Sequence, residues 1–167
     1  MSLFSNSLYA KESDTEKTGD GLRIMILAVG FISTVVYEKK NDGTIQFIKA
    51  FTSSQIITEG LKSSIHKKRP NGDGDDSFPS GHTSAAFMGA GFIHNRYGLK
   101  YSIPAYAGAV FVGYSRVYAD KHFIEDVAMG AVIGISMSYY FTEPYKGFTI
   151  TPTVTKSSYG IILSRTW

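Results

Sequence analysis

Ile24 to Tyr37, Tyr101 to Ser115 and Val127 to Thr142 are long apolar stretches that carry no charged side chain. Such stretches must be buried against one another or against lipid, because water offers them nothing. Each is shorter than the ~18 to 20 apolar residues that a spanning helix needs. The mean hydropathy of the whole chain is −0.05. The reading at this level is a soluble domain, with contact at a membrane surface left open through its 11 Tyr and 11 Phe. Met1 to Ala10 lacks the apolar run of a signal peptide.

The stretches sit inside a regular succession of helical segments. Residues 1–20 are polar and read as an N-terminal arm, loosely docked at most. Gly21 to Tyr37 reads as an apolar helix, and Asn41-Asp42-Gly43 as a turn. Thr44 to Lys68 has Ile45, Ile48, Phe51, Ile56, Leu61 and Ile65 near helical spacing. Pro70 should stop it, and 71–77 is a Gly/Asp loop. Ser80 is placed to cap a helix running to Tyr97 and closed by Gly98. Ile103 to Val117 forms the next helix, and Asp120 is placed to cap a last one running to Phe141.

Five helices of this kind make an all-α bundle over residues 21–144. Ala86, Gly89, Ala90, Gly130, Ala131 and Gly134 would let its helices approach closely. The short apolar lengths favour tight soluble packing over packing in lipid. After residue 144 the period changes to two, with Phe148, Ile150, Pro152 and Val154 alternating with threonines. Residues 145–167 therefore read as a β-hairpin appended to the bundle, turning at Lys156 to Gly160. An isolated hairpin is marginal, so it should lie on the bundle or pair with a partner.

Charge and cysteine content exclude several functions. Lys plus Arg is 17 against 14 for Asp plus Glu, an excess of +3 that is too small to argue for nucleic acid. The chain has no cysteine, which excludes disulfides, thiolate metal sites and cysteine nucleophiles. The positive charge is nevertheless local, with Lys62, His66, Lys67, Lys68 and Arg69 close together.

Lys62 and Arg69 are seven apart on the expected helix, close to two turns, so both leave one face and can converge on a tetrahedral anion. Taken alone, the segment also reads as a solvated basic face, to which Lys67 and Lys68 belong, with His66 a bystander. Pro79-Ser80-Gly81-His82 opens a helix, where backbone N–H groups and the dipole favour an anion and Gly81 permits close approach. An ordinary Ser cap with an exposed His reads equally well. His122 and Asp126 are four apart on the last expected helix. A carboxylate there would fix the tautomer of the imidazole and leave its other nitrogen able to attack, unless the pair simply decorates the surface. Arg116 stands just before them. Together the three segments supply cationic clamps, a helix-terminus cradle and a nucleophile, which is what phosphoryl transfer requires.

At these residues the chain resembles the type-2 phosphatidic acid phosphatase superfamily, which includes bacterial non-specific acid phosphatases and vanadium haloperoxidases. The resemblance rests on Lys62, Arg69 and Pro70; on Pro79, Ser80, Gly81 and His82; and on Ser115, Arg116, His122 and Asp126. It implies a helical fold of the acid phosphatase type and a metal-independent phosphatase without a cofactor. His122 would form a phosphohistidine and Asp126 would orient it. His82 would protonate the leaving group and later activate water. Lys62, Arg69, Ser80, Gly81 and Arg116 would hold the phosphate, and no metal ligand is expected. The implied substrates are phosphate monoesters, lipid phosphates among them. The implied location is periplasmic or otherwise extracytoplasmic, with membrane association.

Two departures accompany the resemblance. The connection from Pro70 to Pro79 is short, so any lid should be small. Its Asp73, Asp75 and Asp76 would repel a free dianion. Counted from Asn71, Asp76 and His82 fall where an EF-hand needs glycine and glutamate, so a solvated acidic turn is expected. Three alternatives stand beside the phosphatase: a vanadium-dependent haloperoxidase, for which the chain is short; a serine hydrolase using Ser80 or Ser115, for which no Gly-x-Ser-x-Gly elbow exists; and a non-catalytic phosphate-binding module.

Overall fold

A computed structural model describes the backbone over residues 2–145, 147–155 and 158–166, and the side chains over 14–145. Five helices form the body: α1 (Ser2–Tyr37), α2 (Asp42–Ile65), α3 (Gly81–Tyr97), α4 (Leu99–Tyr118) and α5 (Ile124–Phe141). The all-α reading holds. Strands β1 (Gly147–Thr155) and β2 (Ser158–Thr166) pair antiparallel, Gly147 opposite Thr166 and Thr155 opposite Ser158. The turn between them and the hairpin side chains lie outside the described residues, and with them the expectation that the hairpin rests on the bundle.

Helix α3 is central and touches the other four. Its sequence explains why: Ser84, Ala85, Ala86, Gly89, Ala90 and Gly91 are all buried, so neighbours approach it from every side. Helix α5 uses this most fully. A Cβ at Gly130 would stand 2.5 Å from the Ser80 carbonyl oxygen, and one at Gly134 would stand 2.3 Å from that of Ser84. Ser138, one turn further, lies against Gly91. Small residues every fourth position thus bring two backbones into direct contact. One apolar cluster, including Ile26, Ile93, Ala109 and Val112, joins α1, α3 and α4; a second, with Phe47, Ala50, Met88 and Phe92, joins α2 to α3.

Interior and surface are inverted relative to a water-soluble bundle. Thr34, Ser54, Ser102 and Ser138 are buried, each hydroxyl donating to a carbonyl one turn back. Ile24, Val36, Ile56, Val110, Ile124 and Val132 point outward, as do Tyr139 and Tyr140, each 77% exposed. Among the described residues, Asp14–Tyr37 of α1 is long and apolar enough to cross a membrane. Both features run against the expectation of a soluble domain. Charge-free length understated the helices, because Asp20, Arg23 and Arg116 lie within helical spans yet line an internal cavity.

Several boundaries differ from expectation. Helix α1 begins at Ser2, ahead of the expected Gly21, so its backbone runs on through residues 2–20. Helix α2 ends at Ile65, where His66 turns left-handed (φ 50°), so Arg69 lies in a loop and not two helical turns from Lys62. Backbone bonds from Ser77 N to Lys67 O (2.9 Å) and Arg69 N to Gly74 O (3.2 Å) fold that loop back, with Gly72 and Gly74 at positive φ. Helix α5 starts at Ile124, not Asp120, whose φ of 50° turns the chain before the helix. His122 consequently precedes α5 and does not share a helical face with Asp126.

Candidate active site

At one end of the bundle lies a cavity of about 440 Å³ to which every helix or its adjoining loop contributes. Glu16, Asp20 and Arg23 come from α1, and Gln55, Glu59 and Lys62 from α2. Arg69 comes from the following loop, Gly81 and His82 from the start of α3, Arg116 from the end of α4, and Lys121 and His122 from the α4–α5 connection. Six of the eight residues expected from the motifs thus meet around one space. Ser80 and Asp126 are fully buried behind it.

His122 is held by a carbonyl. Its Nδ1 lies 2.7 Å from the oxygen of Ser77, which requires a proton on that nitrogen and leaves Nε2 with its lone pair. The ring is only 4% exposed. Burial foremost, then the charges of Lys62 and Arg69, push its pKa down to about 4, against opposing contributions from Ser77 and Asp126. At neutral pH the imidazole is uncharged, with the Nε2 lone pair free.

Asp126 does not grip that ring directly, since its Oδ2 is 3.8 Å from Nδ1. Instead Oδ2 accepts from Ser77 Oγ (2.5 Å) and from the N–H of Phe123 (2.9 Å), capping α5. Oδ1 takes Lys67 Nζ at 2.7 Å. The carboxylate therefore anchors the segment whose carbonyl holds His122. Lys67, read from the sequence as part of a solvated face, reaches both Asp126 and Glu125 at 2.7 Å, and its ammonium lies 4.4 Å from the Phe123 ring centre. Only its position beside Arg69 hinted at this role.

Asp76 is likewise not a solvated repulsive charge. Its carboxylate takes Arg69 Nε at 2.8 Å and Nη2 at 2.9 Å, while Lys62 Nζ donates to its backbone oxygen at 2.7 Å. The hydrogen bond from Arg69 holds its carboxyl below the usual range. Ser80 caps α3, its hydroxyl accepting from Thr83 Oγ1 at 3.0 Å, and it is not among the residues lining the cavity. Arg116 is 3% exposed; its Nε donates to Ser115 Oγ (3.1 Å) and Nη2 to the Glu16 carbonyl (2.8 Å). His82 Nε2 lies 3.1 Å from Asp20 Oδ1, the same oxygen that stands 3.2 Å from Arg116 Nη1.

The residues that sequence reading missed are those of α1. Gly19 lets this helix press on α4: a Cβ there would sit 2.1 Å from Ser115 Oγ. That contact brings Glu16, Asp20 and Arg23 into the cavity. Their spacing of three and four was the available signal. A cavity that gathers two imidazoles with Lys62, Arg69 and Arg116 is suited to binding a phosphate and attacking it in line. Among the described residues no group of three or more acidic or histidine side chains is arranged to hold a metal ion.

Comparison with known proteins agrees with this chemistry. The chain is 32% identical to the lipid A 4'-phosphatase of Helicobacter pylori over 91% of its own length and 85% of that protein. It is 42% identical to the lipid A 1-phosphatase of Porphyromonas gingivalis over 49% of its length, though only 20% of that protein. The crystal structure of Aquifex aeolicus LpxE superposes with a TM-score of 0.65 at 25% identity, covering 78% of this chain and 84% of that one. A transmembrane PAP2-type phosphatidylglycerolphosphate phosphatase from Bacillus subtilis shares the fold, with a TM-score of 0.60 at 22% identity over 84% and 85%. The PAP2 superfamily model matches residues 43–147. With the family match covering most of the chain and the motif residues gathered around one cavity, the chain belongs to the PAP2 superfamily and is a phosphoric monoester hydrolase.

Proposed function

We propose that this chain removes phosphate from a lipid-borne monoester within a membrane, through a phosphohistidine at His122 and without a metal. The observation that carries the reading is the tautomer of His122, with Nδ1 spent on the Ser77 carbonyl and Nε2 presented to a cationic cavity. Attack by Nε2 on phosphorus expels the alkoxide, which takes a proton from His82. Water then attacks the phosphohistidine, giving its proton to His82, and His122 is regenerated. Lys62, Arg69 and Arg116 oppose the charge on the phosphoryl oxygens, assisted by the backbone N–H groups that open α3.

The membrane setting is supported by helix length and by the inverted surface. At 1.5 Å per residue, the 20 residues of α4 and 18 of α5 span roughly the thickness of a bilayer core, about 30 Å. The cavity lies at the helix ends, where a headgroup phosphate would be found. A lipid A phosphate is the nearest model substrate, given the relatives above.

The decisive experiment uses purified protein in detergent with a panel of lipid phosphates and soluble monoesters. Lipid phosphates should be preferred, turnover should survive EDTA, and acid-labile, base-stable phosphate should be trapped on the wild type but not on His122→Ala. Substantial turnover by His122→Ala, or loss with chelator, would overturn the mechanism. An extracytoplasmic site predicts that Lys68→Cys, in this otherwise cysteine-free chain, reacts with a membrane-impermeant maleimide on intact cells.

A further inference from the structure

We propose that Asp20, on α1, is the positioning residue of His82: it holds Nε2 of the imidazole and leaves Nδ1 to exchange the proton with the leaving oxygen and then with water. The proposal rests on the phosphatase chemistry above. Helix α1 lies outside the matched family segment, which begins at residue 43.

Asp20 Oδ1 is 3.1 Å from His82 Nε2 and 3.2 Å from Arg116 Nη1. That oxygen is buried without a hydrogen bond of good geometry among the described residues, so it needs a donor, and His82 Nε2, 3.1 Å away, is placed to supply one once its N–H turns onto it. The same contact is the imidazole's one ion pair or hydrogen bond among the described residues. Ring geometry then leaves Nδ1 for chemistry, the reverse of His122, where Nδ1 is held and Nε2 is left.

Charge makes the carboxylate useful. Arg23 on α1, Arg116 on α4 and His122 on the α4–α5 connection all act on His82. From α2, Lys62 and Glu59 flank Gly81, within 3.9 Å of where a Cβ on that glycine would stand. A histidine facing two arginines is helped to carry the proton it must donate by an anion touching it, and Asp20 is the anion in contact. In the first step the Nε2–P bond of His122 forms and the ester P–O bond breaks. The His82 proton leaves Nδ1 for the departing oxygen. In the second, water oxygen bonds to phosphorus, the N–P bond breaks, and the water proton returns to Nδ1. Asp20 exchanges no proton in either step.

The test is Asp20→Asn in the full chain, assayed on an alkyl phosphate and on 4-nitrophenyl phosphate. Loss of the acid's support should lower kcat/KM roughly a hundredfold on the alkyl ester, whose leaving group needs a proton, and only a few fold on the aryl ester. Asp20→Glu should restore part of the alkyl activity. In a His82→Ala background, Asp20→Asn should remove nothing further. Equal losses on both esters, full alkyl activity, or additive losses in the double variant would overturn the proposal. Should Asp20→Asn not fold, Asp20→Glu carries the same comparison, with a selective intermediate loss expected and an equal loss on both esters overturning it. If His122→Ala keeps its turnover, the phosphatase chemistry itself fails. If that variant is inactive while Asp20→Asn treats both esters alike, only the role of Asp20 falls.

Discussion

The two ends of the bundle each bury an arginine, and the two are treated differently. At the end away from the cavity, Arg96 spends its donors on protein: Nε to Glu38 Oε1 at 2.8 Å, Nη2 to Oε2, and Nη1 to the Glu143 carbonyl at 2.7 Å. Tyr97 and the N–H of Gly43 complete the carboxylate of Glu38. At the other end, the carboxylates of Asp20 and Glu16 stand off from Arg116 Nη1 at 3.2 and 3.6 Å, beside open volume. A buried cation with its donors spent is a staple. One like Arg116, whose Nη1 makes only loose ion pairs beside a cavity, is set to receive an anion.

Two substitutions sharpen this contrast most. Arg116→Met should cost a hundredfold to a thousandfold in kcat/KM, roughly the worth of one donor to a developing anion, with little change in melting temperature. Glu38→Gln should do the reverse. Leaving Arg96 buried without its counter-ion costs about 3–5 kcal/mol of stability, while turnover per folded molecule stays near wild type. If thermal unfolding and kinetics show the effects exchanged, the contrast between the ends is broken.

A smaller effect is expected at Asp126, which resembles the staple in being fully engaged yet stands behind the cavity. Asp126→Asn keeps the shape but weakens the hold on Lys67 and Ser77, so His122 loses its fixed carbonyl. Outer partners of this type are worth roughly ten- to a hundredfold in activity. Steady-state kinetics with an unchanged circular dichroism spectrum would check it, and wild-type rates would mean that Ser77 is placed by the loop alone.

The smallest effect is a displaced titration. The folded pKa of His122 lies near 4, below its ordinary value of 6.5. The neutral, nucleophilic form therefore persists down to about pH 4 and is lost only as pH falls through that value. Removing one of the two cations that depress it, by Lys62→Met, should move the titration upward, burial still holding it under 6.5. Carbethoxylation of His122 followed by mass spectrometry across pH 3–7 reads this directly. A midpoint unchanged in the variant would remove Lys62 from the electrostatics of the nucleophile.

The motif residues were legible because each is a type with few structural uses at that spacing: Lys62, Arg69, His82, Arg116 and His122 do share one cavity. What stayed hidden has one common cause. Glu16, Asp20 and Arg23 look like the polar flank of an apolar segment, since sequence shows that a residue is charged but not whether it faces inward. The same ambiguity made Asp76 and Lys67 look solvated, although one binds Arg69 and the other Asp126. It also led α1 to be read as starting at Gly21, and with that its length and its relation to lipid. Helix ends were misjudged where tertiary bonds intervene, as where the carbonyl of Arg116 takes the N–H groups of Lys121 and His122.

The glycine seam between α3 and α5 fixes a distance that chemistry depends on. Gly130 abuts the carbonyl of Ser80, and Ser80 donates its own N–H to the Asp126 carbonyl at 2.9 Å. The chain entering α3 leads directly to His82, and the chain entering α5 comes directly from His122. The gap between the imidazoles of His122 and His82 is thus gauged by main chain meeting main chain, with no intervening rotamer to take up slack. A single methyl group at position 130 would widen it without touching either ring.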